Sequence, residues 1–243
     1  MPGGQYVALS ALRTRLHQLD TLADDLSNAQ TSGYRGSRTA QVATGHQDFE
    51  GSLRSAVDVM AGPTRIDMTT GTINPTGRAL DVALEGSGFF VVEARDGMEY
   101  TRNGHFQRAE DGTLVAADGA VVQGADGPIT LGNGEPSIDD KGRVWSGAQM
   151  VGQLKVVNIP DPGAMTRGVG ARLRATGQES GIEDIDPDEL AVRPASLEAS
   201  NVPMAEGLAR LTSVARNFEA LQRSISTMLN EVDGRFIDNM ARR

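Results

Sequence analysis

The chain has 243 residues, of which 39% are hydrophobic and 23% are charged. This composition can build one or two globular cores and excludes an intrinsically disordered chain. The formal net charge of -9 would repel a phosphate backbone, and the arginines are spread along the chain, so no nucleic-acid partner is expected. Cysteine is absent, which excludes disulfides, thiolate metal sites and a cysteine nucleophile.

The N-terminal segment lacks the features of a secretory signal. No apolar run of about 7–15 residues precedes Arg13, so a cleaved signal peptide is not expected. No segment approaches the ~20 apolar residues that cross a bilayer, so membrane insertion is not expected either.

The N-terminal segment carries an apolar stripe with helical spacing. Its members follow one another in steps of three and four residues, which places them on one face of a helix. We call this set the first stripe: Leu9, Leu12, Leu16, Leu19, Ala23 and Leu26. Gly33 is predicted to end this helix, because glycine favours the left-handed conformation found after helix C-termini.

A second stripe with the same spacing lies near the C-terminus. It comprises Leu211, Val214, Phe218, Leu221, Ile225, Met228 and Val232. Pro203 precedes it and fits the first turn of a helix, where a missing N–H costs little.

Two interpretations of the stripes are open. Each helix could pack against the globular core of its own chain. However, a leucine contributes about 1.5–3 kcal/mol when buried, whereas backbone ordering costs about 1–2 kcal/mol for every residue of the helix. A lone helix would therefore fray, and we predict that the two stripes pair and bury their remaining edges against further copies.

The middle of the chain has the pattern of an antiparallel β domain. Asp-Gly and Asn-Gly pairs, with Asp140-Lys141-Gly142, place glycines every seven or eight residues, and such pairs favour hairpin turns. The predicted turn glycines are Gly97, Gly104, Gly112, Gly119, Gly127, Gly134 and Gly142. The predicted strands between them are 89–92, 99–102, 114–116, 121–122, 129–131 and 154–157.

The predicted fold class is α+β, with N- and C-terminal α-helices paired as a coiled-coil-like core and a central, mostly antiparallel β domain. Residues 1–35 and 196–243 form a discontinuous helical assembly core in this prediction. Residues 36–80 form an extended linker, and residues 81–195 form the β-rich domain. Charge follows a similar division, since 39–203 holds 13 basic and 24 acidic residues whereas 1–38 and 204–243 are each +1.

Catalytic and ligand-binding patterns are weak. The histidines His17, His46 and His105 have no metal-ligand spacing. The segment 168–173 begins like a dinucleotide-binding loop but lacks its third glycine. The acidic run at 184–189 has Glu189 where a calcium loop requires glycine. No catalytic, cofactor-binding or metal site is predicted, and the chain is not expected to be an enzyme.

Several motifs occur together and in order. They are LSNAQTSGYR at 26–35, LDVAL at 80–84, GSGFFVV at 86–92, YTRNGHF at 100–106 and LEASNV at 197–202. The first is similar to the pattern LANxxTxG followed by an aromatic and a basic residue, and the last to LExSNV. With these motifs the chain resembles the flagellar basal-body rod and hook family over nearly its whole length.

The resemblance implies a structural subunit that serves motility. Such subunits are exported through the flagellar type III export apparatus without a cleaved signal. They assemble in the periplasm with themselves and other rod proteins into a helical tube that transmits torque. The implied assembly interface includes both stripes together with Asn28, Thr31, Gly33, Tyr34 and Asn201.

Length and the 80–106 segment most resemble a proximal-rod subunit, and a distal-rod subunit is the alternative. Two functions of other classes stay open at this point. One is a periplasmic enzyme that acts on cell-wall glycan through a carboxylate pair, and the other is a secreted β-rich binding module with helical arms.

Overall fold

The computed structural model describes residues 2–39, 64–161, 163, 165–176, 181–187 and 189–241. Within the helices, side chains are described at 12–27, 204–223, 226 and 227. The chain divides into two compact units. The helical unit comprises Met1–Leu26, Thr39–Thr64 and Met204–Arg243, and the sheet unit comprises Ser27–Arg38 and Arg65–Pro203.

Two helices and a series of short strands occupy the described residues. The helices are α1 (Pro2–Ser27) and α2 (Met204–Ala241). The strands are β1 (Ser37–Thr39), β2 (Thr64–Ile66), β3 (Ile73–Pro75), β4 (Val82–Leu84), β5 (Phe89–Ala94), β6 (Gly97–Thr101), β7 (Phe106–Arg108), β8 (Leu114–Ala116), β9 (Val121–Gly124), β10 (Gly127–Pro128), β11 (Pro136–Ile138), β12 (Arg143–Ser146), β13 (Gln149–Gln153), β14 (Val156–Asn158), β15 (Met165–Arg167), β16 (Arg172–Ala175), β17 (Glu183–Asp184), β18 (Val192–Pro194) and β19 (Ser196–Glu198).

The largest sheet has the strand order β15-β16-β6-β5-β9-β8-β7. Strand β10 pairs with β9, and β14 pairs with both β5 and β17. Strands β11, β12 and β13 form a meander, β18 pairs with β4, and β19 pairs with β3. The last two pairings bring the chain that precedes α2 back onto the first part of the sheet unit.

Strand β5 separates two hydrophobic clusters. Successive side chains of a strand point to opposite faces, so Phe90 and Val92 lie in one cluster and Phe89 and Val91 in the other. In the first cluster the rings of Phe90 and Phe106 meet edge to face with centroids 5.3 Å apart. Both faces of β5 are therefore core, which explains its unbroken apolar run FFVV.

Five of the seven predicted turn glycines have the positive φ that their turns require, namely Gly97, Gly112, Gly119, Gly127 and Gly142. Gly104 has a different role. A Cβ atom there would lie 1.7 Å from the carbonyl oxygen of Val82, so residue 104 must be glycine because two backbone segments touch.

The predicted fold class is wrong in one part. The antiparallel β domain is present, but the described parts of α1 and α2 do not pair as a coiled coil. None of their described residues belongs to either hydrophobic cluster, and Leu16 in the middle of the first stripe is 50% exposed. The helices do approach where Gly207 faces the side chain of Leu26. Heptad spacing identifies an apolar face, but it does not identify what covers that face.

The predicted linker falls partly outside the described residues, since 40–63 are not among them. Its described ends contain β1, β2 and β3, and β3 is joined to β19. Neither helix has, in its described residues, the length of apolar sequence that a membrane span requires.

Candidate functional site

The carboxylate of Glu198 lies where four distant chain segments meet. Its Oε1 is 2.8 Å from a guanidinium nitrogen of Arg35, and its Oε2 is 3.3 Å from one of Arg102. The backbone N–H of Gly71 donates to the same carboxylate at 2.7 Å. We call Arg35, Arg102, Glu198 and Asn201 the junction cluster, and all of it lies in the sheet unit.

The junction cluster buries two cations against one carboxylate. Arg35, Arg102 and Glu198 are each almost fully buried. Burial lowers the pKa of Arg102 to about 10, and the positive charge of Arg35 acts in the same direction, whereas Glu198 opposes both. Burial also lowers the pKa of Arg35, again against Glu198. The Nε atom of each arginine lacks a hydrogen-bond partner among the described residues. Glu198 is the charge that most strongly opposes the effect of burial at both arginines.

Backbone oxygens provide further partners for the two guanidinium groups. Arg35 donates to the carbonyl oxygen of Thr69. Arg102 donates to the carbonyl oxygen of Gly86 at 2.7 Å, and its guanidinium lies 5.3 Å from the ring centroid of Phe89. The cluster is thus tied to the loops before β3 and β5.

Asn201 connects the segment before α2 to the segment after α1. Its Oδ1 accepts from the backbone N–H of Gly36 at 2.7 Å, and its Nδ2 donates to the carbonyl oxygens of Asp67 and Thr69, each at 2.9 Å. The Asn201 backbone N–H also donates to the carbonyl oxygen of Tyr34 at 3.3 Å. An asparagine amide supplies both a donor and an acceptor, as this position requires.

Gly33 does not end α1, which stops at Ser27. It has a φ of 68°, and its N–H donates to the carbonyl oxygen of Glu198 at 2.8 Å. A Cβ atom there would lie 2.3 Å from the carbonyl carbon of Arg102. The prediction for its role in the helix is therefore wrong, because the glycine is required by close approach to another segment.

Neighbouring motif residues shape the turn that leads into the cluster. Thr31 hydrogen-bonds to Asn28 through both backbone and side chain, at 2.9 and 3.3 Å. Tyr34 is buried, and the guanidinium of Arg167 lies 4.5 Å from its ring centroid. Arg167 also donates to the carbonyl oxygen of Arg35 at 2.7 Å.

Comparison with known proteins identifies the family. Residues 83–163 match the family model described as the flagellar hook protein FlgE/F/G D1 domain. The flagellar basal-body rod protein FlgF of Salmonella typhimurium is 34% identical over 242 residues, covering 95% of each chain. FlgF of Mesorhizobium japonicum is 31% identical over 95% of this chain and 96% of its own. The rod protein FlgG of Bacillus subtilis is 26% identical over 91% and 93%.

The chain belongs to the FlgF-like family of flagellar basal-body rod proteins. The resemblance stated from the motifs is confirmed, as is the prediction of a structural rod subunit. Membership of this family implies a non-enzymatic role, and the glycan-acting alternative is not favoured.

Three of the family-like motifs meet in the junction cluster. Arg35 closes the N-terminal motif, Arg102 lies in YTRNGHF, and Glu198 and Asn201 belong to LEASNV. Gly33, Tyr34 and Asn201 were predicted from the sequence as site residues, whereas the three charged residues were not. The available signal was that each of these residues lies in one of the motifs. Single residues in distant motifs do not reveal, however, that the two arginines pair with the same carboxylate.

The predicted interface residues fall into two groups. Asn28, Thr31, Gly33, Tyr34 and Asn201 come together around the segment that follows α1. The stripe residues form the second group and belong to the helical unit. Partly or largely exposed positions of the stripes are Leu12, Leu16, Leu19, Ala23, Leu26, Leu211, Val214, Phe218 and Leu221. The side chains of Leu9, Ile225, Met228 and Val232 lie outside the described residues.

A second group of polar and charged side chains surrounds the buried carboxylate of Asp81. Its carboxylate accepts from the hydroxyl of Thr76 at 2.7 Å and lies 2.8 Å from Nδ1 of His105. Arg78 donates to Nε2 of the same imidazole at 3.0 Å. Because arginine can only donate, Nε2 accepts and Nδ1 carries the hydrogen. Both ring nitrogens are thus used within the fold, an arrangement typical of a structural histidine.

Asp81→Asn is expected to destabilise the sheet unit by about 1–3 kcal/mol, because it removes a buried carboxylate that satisfies Thr76 and His105. Urea unfolding followed by the fluorescence of Trp145 measures this change. Asp126→Asn, at an exposed turn, is the control and should leave the unfolding midpoint unchanged. Equal midpoints for the two variants would contradict a structural role for Asp81.

The described residues of the acidic run do not form a metal site. Asp184 is 3.1 Å from the ammonium of Lys155, and Asp188 lies outside the described residues. Across the part of the chain that the structure describes, no three His, Cys, Asp or Glu side chains are placed to hold a metal ion together.

Proposed function

We propose that this chain is a proximal-rod subunit of the flagellar basal body. In this proposal it is exported by the flagellar type III apparatus without a cleaved signal peptide. It joins a helical tube in the periplasm with further copies and with other rod proteins. The relatives named FlgF and the family-like motifs at both ends of the chain support this assignment.

The observation that carries an assembly role is the exposure of the stripes. Leu16 in α1 is 50% exposed, and Leu208, which lies beside the second stripe, is 57% exposed. Apolar surface that leaves water contributes roughly 25 cal/mol for every Å². A neighbouring subunit that covers these faces would recover this free energy at every copy, so we propose both stripes as subunit interfaces.

The junction cluster has a separate role in the proposal. It anchors the segment that follows α1 and the segment that precedes α2 to the same sheet unit. The anchoring uses buried ion pairs and hydrogen bonds to Glu198 and Asn201. Buried polar networks restrict the conformations of the segments that they join, and this suits a subunit that transmits torque.

Gold-labelled antibodies against this chain, applied to isolated basal bodies and viewed by electron microscopy, test the assignment. We expect label on the rod at its membrane-proximal end. Label at the end next to the hook would replace the proximal assignment with the distal-rod alternative. Basal bodies without label would overturn the proposal.

A further inference from the structure

The chain contains two Asn-Gly pairs, Asn103-Gly104 and Asn133-Gly134. This pair is the one most prone to spontaneous deamidation, in which a backbone nitrogen attacks the side-chain amide of the preceding asparagine. Glycine favours the attack because it has no side chain to hinder the approach of its nitrogen. The same chemistry is therefore available at two positions, and the surroundings of the two positions in the fold decide where it occurs.

Asn133 lies in the loop between β10 and β11, and its side chain is exposed. Among the residues that the structure describes, this side chain has no hydrogen-bond partner. An amide group can donate and accept, but here it does neither within the fold. Rotation of the Asn133 amide toward the backbone therefore breaks no hydrogen bond.

Gly134 carries the nitrogen that would attack. Its N–H donates to the hydroxyl of Ser146 at 3.2 Å, which is at the long end of the range for such a bond. A Cβ atom at residue 134 would lie 2.6 Å from the backbone nitrogen of Gly147, so the fold requires glycine at this position. Close packing thus fixes the reactive neighbour of Asn133, although the Asn133 side chain itself holds nothing in place.

Asn103, between β6 and β7, is held on both sides. Its Oδ1 accepts from the backbone N–H of His105 at 3.1 Å, and its own N–H donates to the hydroxyl of Thr101 at 3.0 Å. Gly104 is buried, and the carbonyl oxygen of Val82 fills the space beside it. Attack by the Gly104 nitrogen would need the amide to leave His105 and the backbone to move. Asn103 can therefore react only when this segment opens locally.

We propose that Asn133 is a site of spontaneous deamidation in the folded chain and that the fold protects Asn103. The Gly134 nitrogen gives up its proton to solvent and bonds to Cγ of Asn133, which closes a five-membered succinimide ring. The side-chain nitrogen takes up a proton and leaves as ammonia. Water then opens the ring at either carbonyl, which gives aspartate or isoaspartate. One water is consumed and one ammonia is released, and the surface gains one negative charge.

The products have different consequences at the two positions. Isoaspartate adds one carbon atom to the backbone. At position 133 this atom enters an exposed loop outside the strands. At position 103 it would lengthen the segment that follows Arg102 of the junction cluster and that touches Val82, where there is no space even for a Cβ atom. The folded sheet unit should thus contain modified residue 133 but not isoaspartate at position 103.

Peptide mass mapping of the full-length chain tests the proposal. Folded protein and protein in concentrated urea are kept side by side at mildly alkaline pH, and the change of mass from amide to acid is followed at each pair. In the folded chain we expect Asn133 to convert at least about ten times faster than Asn103, because reaction at Asn103 waits for local opening. In urea the two rates should become similar. The matched control Asn133→Gln should lose the change at position 133 and keep the rate at Asn103.

Similar rates at the two pairs in the folded chain would overturn the proposal. It would also be overturned if Asn133 stayed intact in the folded chain while both pairs converted in urea, or if the difference between the pairs persisted in urea. Refolding of the chain aged in urea gives a second test. Isoaspartate at position 103 in the refolded fraction would contradict the role assigned to close packing. The proposal is independent of the rod assignment, because every measurement uses the isolated chain.

Discussion

Glu198→Gln is expected to lower the free energy of unfolding of the sheet unit by about 3–5 kcal/mol, the usual cost of breaking a buried ion pair from one side. The substitution keeps the shape of the side chain but removes the one negative charge in contact with both Arg35 and Arg102. Two buried guanidinium groups would then face each other without compensation. Urea unfolding monitored by Trp145, the single tryptophan, measures the loss.

Two variants make this prediction specific. Arg102→Met should cost less than Glu198→Gln, because it leaves Arg35 and Glu198 as a balanced pair. The lowered pKa of Arg102 agrees with this smaller cost. The folded state holds the Arg102 proton less tightly than the unfolded state, so burying this charge lowers the stability at neutral pH. Glu85→Gln, which breaks an exposed pair with Arg193, should cost at most about 1 kcal/mol. A smaller loss for Glu198→Gln than for Arg102→Met would contradict this account.

Leu19→Asp is expected to abolish swimming in cells that depend on this chain for their flagella. Leu19 lies in the middle of the first stripe, seven residues from Leu12 and from Leu26. An unpaired carboxylate in an apolar interface costs several kcal/mol unless it escapes to water. In a repeating assembly that cost recurs at each subunit, so rod incorporation should fail. Spreading on soft agar and immunoblots of isolated basal bodies measure the two effects.

His17→Asp is the matched control, since it places the same residue at an exposed position of the same helix outside the stripe. It should swim normally. Both variants should unfold at the same urea concentration as the unaltered chain when followed by Trp145, because neither changes the sheet unit. Normal swimming by Leu19→Asp would reject the first stripe as a subunit interface.

Local features of this molecule could be predicted from the sequence because they depend on neighbouring residues. Asp-Gly pairs impose turns at Gly97, Gly112 and Gly119 through backbone conformation alone. Strand β8 has the predicted bounds, and β5 includes the predicted strand at 89–92. The spacing of the stripes likewise predicted two helices. The order of the motifs was sufficient to identify the family, because the identification does not depend on which motifs contact one another in the fold.

Contacts between distant segments were decided only by the tertiary structure. Glu198 is 163 positions from Arg35 and 96 from Arg102 in the printed sequence, and no local pattern relates their charges. Gly33 and Gly104 looked like a helix end and a hairpin turn, yet each is required because another backbone segment passes too close for a side chain. The pairing of the helices was predicted wrongly for a related reason. An apolar stripe determines which face of a helix avoids water, whereas the partner that covers it depends on where the rest of the chain, and neighbouring chains, are placed in space.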